Sequence, residues 1–461
     1  MRPYHFTPQG NTVTPANVAI ISLGCPKNLV DTEVILGHLP PEHYTIVNDE
    51  ASADIIIVNT CAFIHDAQEE SVDTILEVAE YKETGACSML IVCGCLPQRY
   101  REALAPQLPE VDVFMGTGDA VRIAEIIDTW RNNRAQQLCS IAQPASLYDA
   151  DTPRVQASPF YTAYVKIAEG CSNCCSYCII PELRGPLRSR TINSIAAEVE
   201  QRVQAGVKEI NLIAQDITAY GKDRDDDTSL ELLLKRLVTI DGLEWIRLLY
   251  AYPEGVSDEL IELIATEAKI CPYLDMPLQH IAEPILKAMN RRLKQAETIA
   301  LVERIRARIP DITLRTTFIV GFPGETQEDF AELHAFAARG LFERIGVFTY
   351  SREEGTPAAA YAEQIPEEVK EQRRDALVIM LEELALEKNQ ALIGTETPVL
   401  VDGYSEETEL LLQGRSITQA PDIDGITYIN AGEAEVGDIV PVEITDATAS
   451  DLVGHIRGSL D

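Results

Sequence analysis

A chain of 461 residues exceeds what one hydrophobic core usually organises, so two or three domains are expected. Apolar residues make up 46% and charged residues 24%, which excludes a disordered or fibrous chain. The formal net charge of −35 makes bare phosphate backbone a costly partner, because binding there relies on Lys and Arg displacing counterions; a basic protein is the better match, unless the acidity serves solubility alone.

Residues Met1 to Asn17 lack a charged head followed by an apolar stretch, and the run Ala376 to Leu381 is too short to span a bilayer. Neither export nor membrane insertion is therefore expected, and the location expected is cytoplasmic. Eleven cysteines in such a chain read as metal ligands or reactive thiols rather than a disulfide framework.

From Val18 to about Ile127, short β-branched runs (Val18 to Leu23, Ile55 to Val58, Met89 to Val92) alternate with helix-like stretches. This predicts a doubly wound parallel sheet over residues 16–128. The stretch Arg131 to Pro159 is polar, holds Pro144, Pro153 and Pro159, and reads as a linker (129–158).

Six strand-then-helix units follow in 159–392, with strands near Ala163 to Ala168, Glu209 to Ala214, Trp245 to Ala251, Tyr273 to Pro277, Thr313 to Val320 and Arg344 to Tyr350. Six units predict an incomplete α/β barrel, a partial (βα)6. Ser194 is the expected start of the first covering helix and Gly206 its stop; a long helix over Glu367 to Leu392 closes the domain. The last segment, 393–461, switches to short strand-like runs (Pro398 to Asp402, Leu410 to Gln413, Ile426 to Ile429, Ile439 to Ile444), which predicts a small β-barrel. From Gly394 on it holds two Arg and no Lys against fourteen carboxylates, a net −12.

The densest chemical signal is Cys171-Ser-Asn-Cys174-Cys175-Ser-Tyr-Cys178, just after the first barrel strand and so at the strand's C-terminal mouth, where α/β barrels keep active sites. Two abutting CxxC pairs would suggest zinc; a CxxxCxxC triple suggests iron–sulfur. The triple is favoured, because Cys174 and Cys175 are neighbours whose side chains diverge, whereas zinc motifs separate their CxxC halves by a wrapping loop. Three thiolates on a four-iron cluster leave one iron open to a substrate. Gln215, Asp216 and Tyr220 follow the second strand, and Gly321, Pro323 and Gly324 the fifth, so both loops rim the same mouth. The glycines there would allow close backbone approach or simply a tight turn.

With Tyr177 as the aromatic, CxxxCx-aromatic-C resembles the signature of radical S-adenosylmethionine (SAM) enzymes. Ala163 to Arg190, PLQH at Pro277 to His280, TFIVGFPGET at Thr317 to Thr326 and YSREEGTP at Tyr350 to Pro357 resemble the methylthiotransferase branch of that superfamily. The resemblance implies a 4Fe-4S cluster on the catalytic Cys171, Cys175 and Cys178, and SAM contacts from Tyr177, Gln215, Asp216, Gly321 and Gly324. Cys174 departs from the family pattern and is expected not to ligate.

Cys25, Cys61 and Cys95 lie far apart in sequence, yet each follows a predicted strand of the first domain by one to three residues: IISLGCPKN, IIIVNTCAF and LIVCGCLPQ. In a parallel sheet with right-handed crossovers equivalent strand ends share one edge, so the three thiols converge. Cys93 is expected within its strand and Cys87 at the opposite edge; Cys139 and Cys271 are expected to be inert. The same segments resemble the amino-terminal domain of methylthiotransferases, which implies an auxiliary 4Fe-4S cluster on Cys25, Cys61 and Cys95. Lys27, Asn28 and Asn59 are then candidate donors to cluster sulfurs, or else turn and cap residues.

The family mechanism implied is that one SAM methylates a sulfur at the auxiliary cluster while another is split to a deoxyadenosyl radical. The radical activates a C–H bond that captures the methylthio group. LGCPKNLVDTE, PLQH and YSREEGTPA lean toward the branch that modifies the β-carbon of an aspartate in ribosomal protein S-twelve. The last segment resembles a TRAM domain, a module tied to RNA, but at −12 it would repel phosphates, so a basic ribosomal protein is expected as partner rather than transfer RNA. An electron donor and a sulfur donor are also implied. The reading from a different class is a non-catalytic iron–sulfur or zinc scaffold.

Overall fold

β-branched runs form the strands of the first sheet, and the computed structural model describes residues 15–133, 136–145, 147–405 and 408–458. The stretch Met1 to Asn17, read for a leader, falls almost wholly outside them. Two compact units are present, the first built from residues before 146 with Thr152–Val155, the second from Leu147–Asp151 and the chain from Gln156 on.

In the first unit β1 (Ala16–Ser22), β2 (Tyr44–Ile46), β3 (Ile55–Thr60), β4 (Met89–Gly94), β5 (Val113–Met115) and β6 (Leu138–Ser140) pair in the order β2-β1-β3-β4-β5-β6, all parallel. The strand order reverses between β1 and β3, the switch point where doubly wound sheets form their ligand crevice. β3 and β4 are buried at every position, which is why they read as continuous apolar runs rather than alternating ones. Ser22 pairs with Asn59 and Asn59 with Cys93, so the three strand ends lie level. β6 falls inside the stretch read as a linker; three residues are too few for a period to show.

The second unit begins with β7 (Thr162–Lys166) and a short antiparallel pair, β8 (Ala168–Glu169) and β9 (Arg188–Ser189). β10 (Glu209–Ile213), β11 (Trp245–Leu248), β12 (Ile270–Asp275), β13 (Thr313–Val320) and β14 (Arg344–Thr349) complete an open parallel sheet in the order β14-β13-β12-β11-β10-β7. The six expected strands are all there. The helix Ile192–Gln204 starts earlier than expected: Thr191, in extended backbone, accepts from the Ser194 N–H, and the Ser194 hydroxyl instead accepts from Arg190 at 3.0 Å. A single helix spans Glu367–Gln390.

β15 (Glu396–Ser405), β16 (Thr408–Ser416), β17 (Thr427–Ile429), β18 (Ile439–Ala447) and β19 (Leu452–Ile456) form a closed barrel in the order β15-β16-β17-β19-β18. β19 escaped the sequence reading because Gly454 interrupts its apolar run. Packing demands that glycine, since a Cβ there would sit 2.4 Å from the Glu443 carbonyl oxygen of β18. This barrel docks on the open sheet through buried polar contacts: Arg415 to Glu209 at 2.8 Å, Tyr164 to Asp422 at 2.7 Å and Tyr273 to Asp424 at 2.7 Å. Among the described residues no helix is long and apolar enough to cross a membrane.

Candidate functional site

The first cysteine triad stands at the ends of the neighbouring strands β1, β3 and β4. Cys25 caps the helix Pro26–Gly37, Cys61 follows β3 directly, and Cys95 opens the helix Cys95–Tyr100. Gly24, at φ +85°, shows how closely two of these loops approach, because a Cβ there would lie 2.7 Å from Cys61 Cβ and 3.0 Å from its Sγ. Asn28 ties the three together. Its Nδ2 donates to the Leu23 and Thr60 carbonyls at 3.1 and 2.9 Å, and its Oδ1 accepts from Cys95 Sγ at 3.8 Å. Asn59 donates to the Asn28 carbonyl and the Thr32 hydroxyl. The Asn28 and Asn59 Nδ2 groups therefore brace the loops, while the Asn28 Oδ1 takes the Cys95 thiol.

Cys93 lies inside β4 and Cys87 precedes it, both buried. Cys139 lies in β6 and Cys271 in β12; burial raises both thiols, Cys271 to about 11.

The second triad lies in the loop after β8. The Cys171 N–H donates to the Gly185 carbonyl at 3.0 Å, and the Ser176 backbone and hydroxyl bind the Met289 and Ala288 carbonyls. Gly170, at φ +82°, admits the Pro186 carbonyl where a Cβ would lie 2.1 Å from its oxygen. Cys174 is exposed, with its thiol turned to the Ser172 carbonyl and its own carbonyl accepting from Asn290. Burial pushes the Cys171 thiol up to about 11 and that of Cys178 to about 12, so a metal taken up here must expel protons. Tyr177, Tyr252 and the Arg291 guanidinium all lie within electrostatic reach of Cys175.

Gln215 and Asp216 stand at the end of β10, as expected, but with structural duties. Gln215 Nε2 donates to Glu169 Oε1 at 2.6 Å, and the other carboxylate oxygen takes Lys166 at 2.6 Å and Arg184 at 3.5 Å. Against its burial, these partners hold Glu169 ionised, at about 2. Asp216 caps Thr218 with one oxygen and accepts from Asn173 of the cysteine loop at 2.8 Å with the other. Tyr220 donates to the Arg190 carbonyl.

Gly321 and Gly324 have φ of +73° and +84°, and the Gly321 and Phe322 N–H groups both donate to Glu325. A Cβ on Gly321 would lie 2.2 Å from Lys370 Cγ, so the tight turn explains this glycine. Glu325 also accepts from Arg373 at 3.0 Å, and His280 Nε2 lies 4.0 Å from it.

His280 is fully buried and accepts from the Ala282 N–H at Nδ1, which places its proton on Nε2. Burial lowers it to about 4, against about 6.5 in an unfolded chain. Between those values the unfolded state binds more protons, so this group withdraws stability as pH falls through the window, on the order of 2 kcal/mol between pH 7 and pH 5. Glu325, raised to about 7 by burial, binds its proton more tightly folded than unfolded and so has the opposite slope there. Urea unfolding of wild type and His280→Asn at both pH values isolates the histidine: wild type is expected to lose more stability on acidification than the variant.

Tyr252 and Arg291 were not singled out from the sequence. Tyr252 follows β11, and the rule that picked the loops after β10 and β13 would have found it; Arg291 lies beyond the helix Glu283–Ala288 with no local signal. Among the described residues no three Cys, His, Asp or Glu side chains form a ready cage for a single ion. A four-iron cube, whose thiolates attach at separate corners, asks for none, and three thiols per triad fit it.

Residues 17–116 match the family described as "Uncharacterized protein family UPF0004", 165–337 the radical SAM superfamily and 393–456 the TRAM domain. The chain is 60% identical over 454 residues to the ribosomal protein uS12 methylthiotransferase RimO of Syntrophotalea carbinolica, covering 98% of this chain and 99% of that one. Its identity to the protein of the same name from Geobacter sulfurreducens is 58%, with 95% and 98% covered. Among solved structures, the radical SAM methyltransferase TsrM from Kitasatospora setae superposes with a TM-score of 0.54 at 14% identity, over 84% of this chain and 77% of that one, a likeness of fold.

Proposed function

The chain belongs to the RimO family of ribosomal protein uS12 methylthiotransferases, and we propose that it transfers a methylthio group to the β-carbon of one aspartate of uS12 (S-twelve) in the cytoplasm. In this reading Cys25, Cys61 and Cys95 hold one 4Fe-4S cluster and Cys171, Cys175 and Cys178 another. The observation that carries it is the pair of cysteine triads, the first at the C-terminal ends of the parallel strands β1, β3 and β4 and the second within the single loop that follows β8. When bound, the clusters supply the sulfur at the first triad and the electron that splits SAM at the second.

The chain's own residues do the rest. Asn28 and Asn59 keep the β1, β3 and β4 loops in register for three-point ligation. Glu169, gripped by Lys166, Arg184 and Gln215, and Asp216, through Asn173, hold the second cysteine loop against the barrel mouth. Tyr177, Gly321 and Gly324 join them around the position SAM would take. The −12 charge of the last segment favours a basic protein substrate, and an external reductant and sulfur source complete the partner set.

The test is anaerobic reconstitution and incubation with SAM, a reductant and recombinant uS12, followed by mass spectrometry of its peptides. A gain of one methylthio group, about 46 Da, on a single aspartate is expected. No gain on uS12, with methylthiolation of an adenosine when transfer RNA is supplied, would overturn the substrate.

A further inference from the structure

Arg291 is a half-buried cation on the turn that packs against the second triad's loop, where Asn290 donates to the Cys174 carbonyl and the Met289 carbonyl accepts from the Ser176 N–H. Its guanidinium lies within electrostatic reach of Cys175, donates to the Pro277 carbonyl, and stacks over the Tyr252 ring with its central carbon 4.1 Å from the centroid. Tyr252 and Tyr177 also lie within electrostatic reach of Cys175. The Arg291 charge reaches Cys178 as well, whereas the charges beside Cys171 are those of Asp216 and the neighbouring cysteines. The three side chains come from three separate loops: the cysteine loop, the segment after β11, and the turn after the helix Glu283–Ala288.

A fixed positive charge in a poorly solvated site acts strongly on whatever changes charge beside it. Reduction adds one negative charge to an iron–sulfur cluster, and hydrogen bonds to ligand sulfur and nearby net charge are the protein's main levers on its potential. A guanidinium also stays charged at any working pH, so its effect does not titrate away.

We propose that Arg291, held in place by Tyr252 and the Pro277 carbonyl, is a positioning residue that acts through Cys175 to raise the reduction potential of the cluster on Cys171, Cys175 and Cys178. The Tyr252 ring fixes the plane of the fork, and the Pro277 carbonyl takes a donor that would otherwise be unpaired. Arg291 thereby eases the arrival of the electron from the external donor. The inference rests on the cluster assignment made above, and the experiment separates the two.

The full-length chain with Cys25, Cys61 and Cys95 changed to Ala carries a single cluster and serves as the parent. Iron and inorganic sulfide are counted first, then the midpoint potential is measured without SAM by redox titration followed by electron paramagnetic resonance. The parent is expected to bind about four iron and four sulfide. Arg291→Met in that background is expected to shift the midpoint to more negative potential, Arg291→Lys to restore part of the shift, and Tyr252→Phe, which keeps the ring but removes its hydroxyl, to produce a smaller negative shift. A Met variant that binds the same iron and titrates at the parent's midpoint would overturn the proposal. If the Met variant fails to take up the cluster, Arg291→Gln, which keeps an N–H donor without the charge, decides on the same criterion. A parent that takes up no iron or sulfide would overturn the cluster assignment itself, and the proposal with it.

Discussion

Cys61→Ala is expected to abolish the methylthiolated product while SAM cleavage continues. Cys61 belongs to the first unit, and the triad proposed to split SAM to the second, each with its own core and its own loop bracing. Loss of one of three thiols leaves the first triad unable to hold a four-iron cluster by three points. The substitution itself is mild: Cys61 is 8% exposed, its Cβ remains to pack against Gly24, and only a sulfur atom is lost. 5′-Deoxyadenosine, followed by chromatography, should therefore form at close to the wild-type rate, while methylthio-uS12 falls to less than about one thousandth of wild type by mass spectrometry. Cys171→Ala should remove both products. Persistence of methylthio-uS12 in Cys61→Ala would remove Cys25, Cys61 and Cys95 from the chemistry.

The second large effect is on stability. Glu209, the first residue of β10, is fully buried and accepts from Thr162 at 2.9 Å, Arg247 at 3.1 Å and Arg415 at 2.8 Å. Burial raises its carboxyl, but Arg415 and Arg247 outweigh that and hold it below the usual range. Arg247 is itself fully buried, donates to the Ile417 carbonyl at 2.9 Å and stacks on Tyr273. Arg415 keeps a second carboxylate, Asp402, at 3.0 Å.

Glu209→Ala leaves Arg247 without its only carboxylate among the ion pairs of the described residues and halves the pairing of Arg415. Removing one partner of a buried pair costs about 3–5 kcal/mol, because the remaining charge has no water to return to. Urea unfolding of the full chain should show a loss of that order. Glu209→Gln, which keeps an acceptor for Thr162 and the guanidinium groups, should lose less. Equal stability of wild type and Glu209→Ala would mean that water reaches the docking surface of the carboxyl-terminal barrel.

Both cysteine triads are legible in the sequence, for different reasons. The spacing within Cys171 to Cys178 is short, so the motif carries its own geometry. Cys25, Cys61 and Cys95 become legible only through the rule that parallel strands with right-handed crossovers end at one edge. The same topological reasoning puts Gln215 and Asp216 at the barrel mouth, yet it does not show that their side chains are committed to Glu169 and Asn173. Where local signals conflict, the backbone chooses: Thr191 and Ser194 are both good caps, and the chain leaving β9 makes Thr191 the extended residue.

The sequence by itself determined the six-strand open barrel, the parallel amino-terminal sheet, the closing helix and the two cysteine triads, since apolar period, turn residues and short motifs are local properties. Only the tertiary structure decided the rest. Asn28 reaches Cys95 across 67 residues, Arg291 reaches the Tyr252 ring from a distant turn, and Arg415 reaches Glu209 across 206 residues to fasten the last barrel. The partner of a buried polar group is set by which groups packing leaves within hydrogen-bond distance and out of water, and no periodicity along the chain records that.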